Sequence, residues 1–151
     1  MATYLSAEAF EQMKIELEHR KKIIRREISE KILHAKEMGD LSENFEYQTA
    51  KEEQSLNETR IMEIESILYD VVLVKNSQGA SRIALGTTFI VETEGKKKTY
   101  SLVGSNEANP LEGKISNESP IGIAFLDKKK GDKVEFEAPS GVIKYTILDI
   151  F

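Results

Sequence analysis

Met38-Gly39-Asp40-Leu41-Ser42-Glu43-Asn44-Phe45-Glu46-Tyr47 separates two long runs of helical apolar spacing, neither of which contains a proline. Gly39 is the sole glycine before Gly79. A lone glycine between two helical runs marks a helix stop, because it tolerates the left-handed backbone of a C-cap. Asp40 or Ser42 can cap the helix that follows. The stretch therefore reads as the turn of an αα-hairpin, at the hairpin's far end. Glu37, Asp40, Glu43 and Glu46 lie in or beside it, and no Lys or Arg falls between Glu37 and Glu46. A narrow helical rod with bare carboxylates at its tip is unusual for a purely structural protein.

Working toward the N-terminus, residues 1–5 read as a short extended lead. Ser6 is an N-cap, with Glu8 favourably placed in the first turn. Leu5 and Phe10 have the spacing of a hydrophobic staple. The first helix should run from about Ala7 to Met38. Phe10, Met13, Leu17, Ile24, Ile28, Ile32 and Ala35 follow three- and four-residue steps with one gap. The gap falls at Arg20-Lys21-Lys22, near Arg25-Arg26. Those basic residues form either a solvated helix face or a contact for nucleic acid or an acidic partner.

Working the other way, the second helix should run from about Glu43 to Asp70. Tyr47, Ala50, Gln54, Asn57, Ile61, Ile64, Leu68 and Val71 alternate strictly in steps of three and four, a heptad seam. Gln54 and Asn57 are polar at seam positions and should face Glu27 to Lys31, fixing register at some cost in stability. Helices of about 30 residues give a rod of roughly 45 Å.

Asn76-Ser77-Gln78-Gly79 reads as a polar linker. The sequence thus divides into an N-terminal coiled-coil domain, 1–75, and a second domain, 80–151. Thr87 to Glu94 alternates and is β-branched. A turn at Gly95-Lys96 should return Lys97 to Val103 as a hairpin partner. Ser119-Pro120 is an N-cap followed by proline at the first helical position, so Ile121 to Leu126 should be a short helix. Lys133 to Ala138 and Val142 to Ile150 form a second hairpin around Pro139-Ser140-Gly141. The expected class is α+β: a helical coiled-coil hairpin, then a small α+β domain.

Composition narrows the function. The chain has 151 residues, 40% hydrophobic and 31% charged. Both the absence of an 18-residue apolar run and the N-terminal residues argue against a membrane span or signal peptide. Zero Cys removes disulfides and thiolate metal sites and fits a reducing, cytoplasmic setting. The net charge of −5 lies wholly in residues 1–75, which hold 11 Lys+Arg and 16 Asp+Glu. A pI near 5.2 argues against a general nucleic-acid binder. The acidic first half suits a basic or metal-containing partner surface, or serves solubility alone.

No nucleophile–base constellation or phosphate-cradling glycine loop is visible, which leaves the tip. Asp40 and Glu43 are three residues apart and can converge at a helix N-terminus. Two carboxylates suit a hard cation such as Mg²⁺, which keeps several waters. They could also orient or deprotonate a water. Asp40-Leu41-Ser42-Glu43 is equally a capping-box pattern. The readings are compatible, since a cap presents its free oxygen to solvent. Two carboxylates alone would hold Mg²⁺ weakly, so no ion is expected to bind the free protein tightly. A partner must supply the remaining shell.

The stretch Gly39 to Tyr47 resembles the tip motif of bacterial transcript cleavage factors of the GreA/GreB family. Ala50-Lys51-Glu52, Arg60-Ile61 with Ile64-Glu65, Ser119-Pro120-Ile121-Gly122, Gly131-Asp132 and Pro139-Ser140-Gly141 extend the likeness from Leu5 to Ile150. The run of basic residues beside the tip expected of a GreB-like member is missing. The resemblance implies an antiparallel coiled coil and an FKBP-like C-terminal domain, though a fold of that kind does not establish prolyl isomerase activity. It implies binding to RNA polymerase at the rim of its secondary channel, with the coiled coil inserted toward the nascent RNA 3′ end. Asp40 and Glu43 match the tip acids that help hold the second Mg²⁺ of the polymerase active site and the attacking water. Asn44 and Tyr47 match positions that support the tip. Ser119, Pro120 and Ile121 match a polymerase-docking segment. The implied role is that of an accessory factor, not an enzyme. An inhibitory paralogue using the same channel, or a non-catalytic coiled-coil interaction module, are the competing functions.

Overall fold

A computed structural model describes residues 2–40, 42–75 and 79–151. The chain forms two compact units, one of Phe10–Asp70 and the other of Val71–Phe151 with the N-terminal residues through Ala9. The sequence puts the boundary between residues 75 and 80, whereas these units part at Ala9/Phe10 and Asp70/Val71. A strand pairing not anticipated from the sequence accounts for the difference. β1 (Thr3–Ser6) lies parallel to β2 (Val71–Val74), with Leu5 opposite Leu73. Leu5 is fully buried. Apart from Gly79, the linker expected at Asn76–Gly79 lies outside the described residues.

In the helical unit, α1 (Ala7–His19) passes through a π-helical turn at Arg20–Ile24 into α2 (Arg25–Lys36). Ser6 caps α1, its hydroxyl accepting the Ala9 N–H at 3.1 Å. The first helical run ends at Lys36, and α3 (Phe45–Tyr69) returns beside it. Ile28, Ile32 and Ala50 form a buried cluster, with Ile24 and Tyr47 packed on it. The π turn falls at the gap in the apolar stripe. There the Arg25 N–H reaches the Arg20 carbonyl, five residues back.

Asn57 is buried, but its partner is Arg20 rather than Glu27 to Lys31. Arg20 Nη1 donates to Asn57 Oδ1 at 3.1 Å. Arg20 also donates through Nε to Glu16 at 2.8 Å, and Glu16 accepts two hydrogen bonds from Arg60 at 3.0 and 3.1 Å. The Arg60 guanidinium is the main reason that the Glu16 carboxyl titrates at about 2, well below its ordinary range. Gln54 takes a bond from Lys51 on its own helix. Of the basic cluster, Lys21 pairs with Glu65, Lys22 with Glu18, and Arg25 with Glu58. Much of that positive charge is therefore neutralised within the hairpin, which favours the solvated-face reading over a nucleic-acid contact.

The other unit holds a five-stranded sheet in the order β5-β4-β3-β7-β6. These strands are β3 (Thr88–Thr93), β4 (Lys96–Val103), β5 (Lys114–Ser116), β6 (Lys133–Ala138) and β7 (Gly141–Ile150). Only β5 pairs in parallel, against β4, and the sequence reading missed it. The β3–β4 turn residues are Glu94 and Gly95, both at positive φ, with Thr93 opposite Lys96. Positive φ at both central positions is the mark of a two-residue type I′ turn, which places the turn one residue earlier than expected. α4 (Pro120–Phe125) begins under its Ser119 cap and sends Phe125 into the core. Phe125 packs against Phe89 and Tyr145 with ring centroids 5.0 and 5.2 Å apart. The mixed α+β architecture is the class expected from the sequence.

Candidate functional site at the hairpin tip

The C-cap of α2 is Glu37, in the right-handed region, rather than Gly39. Gly39, two residues on, turns the chain at φ 125°, where a side chain would be strained. The second run starts later than the sequence suggested. Asn44, not Asp40 or Ser42, is the N-cap of α3, its Oδ1 accepting the Tyr47 N–H at 3.1 Å. The Asp40–Glu43 capping box therefore does not form. Three cap-competent side chains at alternate positions, Asp40, Ser42 and Asn44, leave the choice open locally, and a contact with the other helix decides it. The Asn44 side-chain amide donates to the Ala35 carbonyl at 2.6 Å, a second donor on an acceptor that also takes the Met38 N–H at 3.1 Å at the end of α2. One side chain thus closes the first helix and opens the second.

Relieved of capping, Asp40 turns back on its own loop. Its Oδ1 accepts both the backbone N–H and the hydroxyl of Ser42, each at 3.0 Å. The Ser42 N–H, and next its hydroxyl, hold the exposed Asp40 carboxyl below the usual range by stabilising its charged form. The Ser42 carbonyl in turn accepts the side-chain amide of Gln48, on the first turn of α3, at 3.3 Å. Glu43 lies exposed in the same turn. Among the described residues, no side chain hydrogen-bonds to its carboxylate.

Tyr47 is half-buried against Ile28, Ile32 and Ala50, so α3 starts from a packed position just behind the tip. Phe45 is 82% exposed and Met38 59% exposed. The turn thus presents two exposed carboxylates, Asp40 and Glu43, flanked by the exposed Glu37 and Glu46 and by apolar side chains. Leu41 lies outside the described residues. Among the described residues no group of three or more His, Cys, Asp or Glu could hold a metal ion by itself. The donor set fits a hard cation only as a partial shell.

In the other unit, Ser119 accepts the Gly122 N–H at 3.1 Å and donates to the Ser116 carbonyl at 2.7 Å. Pro120 opens α4 and is exposed. Ile121 instead packs against the core. The exposed apolar residues here are Ile123 at 59% and Leu126 at 44%, on the side of the helix that carries Pro120. Sequence reasoning missed Ile123, although its spacing from Pro120 was visible. It also missed Ser42 as a donor to Asp40, and Gln48 behind it. The signal there was Asp-x-Ser, which permits a side-chain-to-backbone turn two residues on.

Comparison with known proteins covers the whole chain. Residues 3–72 match the family model "Transcription elongation factor, N-terminal", and residues 78–151 match "Transcription elongation factor, GreA/GreB, C-term". A protein of Chloroflexus aggregans named transcription elongation factor GreA is 44% identical over 151 residues, covering 98% of this chain and 96% of its own. Its namesake from Bacillus subtilis is 38% identical, covering 97% and 94%. Among solved structures, GreA factor homolog 1 of Thermus thermophilus is 26% identical with a TM-score of 0.46, covering 100% and 99%. With both of its halves matched by the family's sequence models, this chain belongs to the GreA/GreB family of transcription elongation factors.

Proposed function

We propose that this chain binds bacterial RNA polymerase at the rim of the secondary channel, inserts its helical hairpin, and stimulates the polymerase's own cleavage of backtracked nascent RNA. The protein works in the cytoplasm as an accessory factor, with the polymerase as the enzyme. The observation that carries this reading is that neither tip carboxylate is consumed as a helix cap. Asn44 caps α3, and Asp40 and Glu43 remain exposed.

Asp40 and Glu43 would together contribute ligands to the second Mg²⁺ of the polymerase active site, whose main ligands belong to the polymerase. When bound, the ion supplies charge neutralisation at the scissile phosphate and makes a coordinated water more acidic. Asp40 stays ionised through the Ser42 hydrogen bonds and presents a fixed anionic oxygen. Glu43, free to rotate, can orient the attacking water or accept its proton. Asn44 and Tyr47 keep the turn at a constant height on the hairpin. Ser119, Pro120 and Ile121 mark the segment that docks on the polymerase.

The test uses stalled polymerase complexes carrying backtracked, 3′-labelled RNA. The factor with RNA and Mg²⁺ alone should leave the RNA intact. Added to the complexes, it should release 3′ fragments and restore elongation. Complexes that bind the factor without accelerated cleavage would sink the reading.

A further inference from the structure

We propose that Ser42 is the positioning residue for Asp40, fixing its carboxylate in one rotamer and leaving Oδ2 as the oxygen offered to the reacting centre. The inference rests on the catalytic reading of the tip given above.

Both donors of Ser42 fall on the same oxygen, Asp40 Oδ1, at 3.0 Å each. Among the described residues nothing hydrogen-bonds to Oδ2. An exposed Asp side chain ordinarily samples several rotamers. Two donors two residues away close a small ring that selects one of them. The ring is itself tied to a rigid element, because Gln48 on α3 donates to the Ser42 carbonyl at 3.3 Å. α3 therefore reaches Asp40 through Gln48 and Ser42. Since Asn44 caps the helix, the Asp40 carboxylate is free to accept both Ser42 donors. Preorganisation of this kind acts on the rate of the bound complex, because misplacing a reacting group costs rate rather than affinity. Ser42 itself need not touch the metal or the RNA.

The experiment compares wild type with Ser42→Ala, Ser42→Thr, Gln48→Ala and Asp40→Ala in stimulated cleavage by stalled complexes. Maximal rate and half-saturating factor concentration are read separately. Ser42→Ala should lower the maximal rate about 10-fold and leave half-saturation unchanged. Ser42→Thr, which keeps the hydroxyl, should recover to within about 2-fold of wild type. Gln48→Ala should fall between the two. A second readout needs no polymerase. In the free factor the residue 42 amide should exchange with solvent slowly, and at least about 10-fold faster in Asp40→Ala. A wild-type maximal rate in Ser42→Ala would overturn the proposal, as would failure of the threonine to rescue or free exchange of that amide in wild type. If Asp40→Ala also cleaves normally, the catalytic reading of the tip fails as well. An inactive Asp40→Ala beside a fully active Ser42→Ala defeats only the positioning role.

Discussion

The side-chain amide of Asn44 lies 2.6 Å from the carbonyl oxygen of Ala35, joining the start of one hairpin helix to the end of the other. The same residue caps α3 through its Oδ1. Asn44→Ala should cost about 1 kcal/mol for the cap, and somewhat more for the lost link to the Ala35 carbonyl, which keeps the Met38 N–H at 3.1 Å. Asn44→Asp keeps a cap acceptor but cannot donate to Ala35. Urea unfolding should rank the variants wild type, then Asp, then Ala. Equal stability of Asp and wild type would show that the Ala35 bond contributes nothing.

Asn57 is the polar residue inside the seam, 4% exposed and bonded to Arg20 at the π turn. Asn57→Ala should destabilise by roughly 1 kcal/mol or more, because the half-buried Arg20 guanidinium loses a partner. Amide exchange should quicken around residues 20–25 more than near the tip. Unchanged exchange there would remove Asn57 as the reason for the interrupted helix.

Glu16 gives the fold an acid-sensitive element. Its folded carboxyl titrates at about 2, against 4.5 ordinarily, chiefly because Arg60 bonds to it. A depressed folded pKa means that the unfolded chain binds more protons in between, so stability rises with pH across that window. The advantage of wild type over Glu16→Gln should be full above about pH 5 and shrink as pH falls toward 2. Denaturant midpoints of the two proteins across that range check it. A constant difference would mean that the Arg60 contact carries no net charge-dependent stability.

Along the docking segment, burial separates two neighbours. Ile121 packs on the core whereas Pro120 and Ile123 are exposed. Ile121→Glu should lower the melting temperature. Pro120→Glu and Ile123→Glu should leave it within a degree or two and weaken polymerase binding. Wild-type binding by both surface variants would place docking elsewhere.

How much of this was legible in the sequence depended on how local each determinant is. Ser6 and Ser119 act within three residues of themselves, and the structure finds both as caps. Gly39 sits in the turn at positive φ, a backbone requirement that needs no partner, although the helix already ends at Lys36. Alternation in residues 87–94 specifies β3 because one face is buried. By contrast, the choice of Asn44 over Asp40 and Ser42 depends on a carbonyl nine residues away in the other helix. Val71-Val72-Leu73-Val74 continued the apolar stripe of α3. Only pairing with β1, across the whole hairpin, shows it to be a strand. The π turn left merely a gap in the stripe, and the Asn57–Arg20 contact that accompanies it is again long-range. At the tip, the identities of Asp40 and Glu43 were readable, but the use of one oxygen of Asp40 by Ser42 was not.

The most direct measurement of the central claim is stimulated RNA cleavage at saturating factor by Asp40→Asn and Glu43→Gln. Both substitutions preserve size and remove charge, and neither residue caps a helix. Each should keep wild-type melting and polymerase binding and slow cleavage by roughly 10²-fold or more, corresponding to about 3 kcal/mol of lost transition-state stabilisation. Added Mg²⁺ should recover part of the rate if the loss lies in metal affinity. Cleavage at the wild-type rate by either folded, polymerase-bound variant would contradict the catalytic role of that carboxylate.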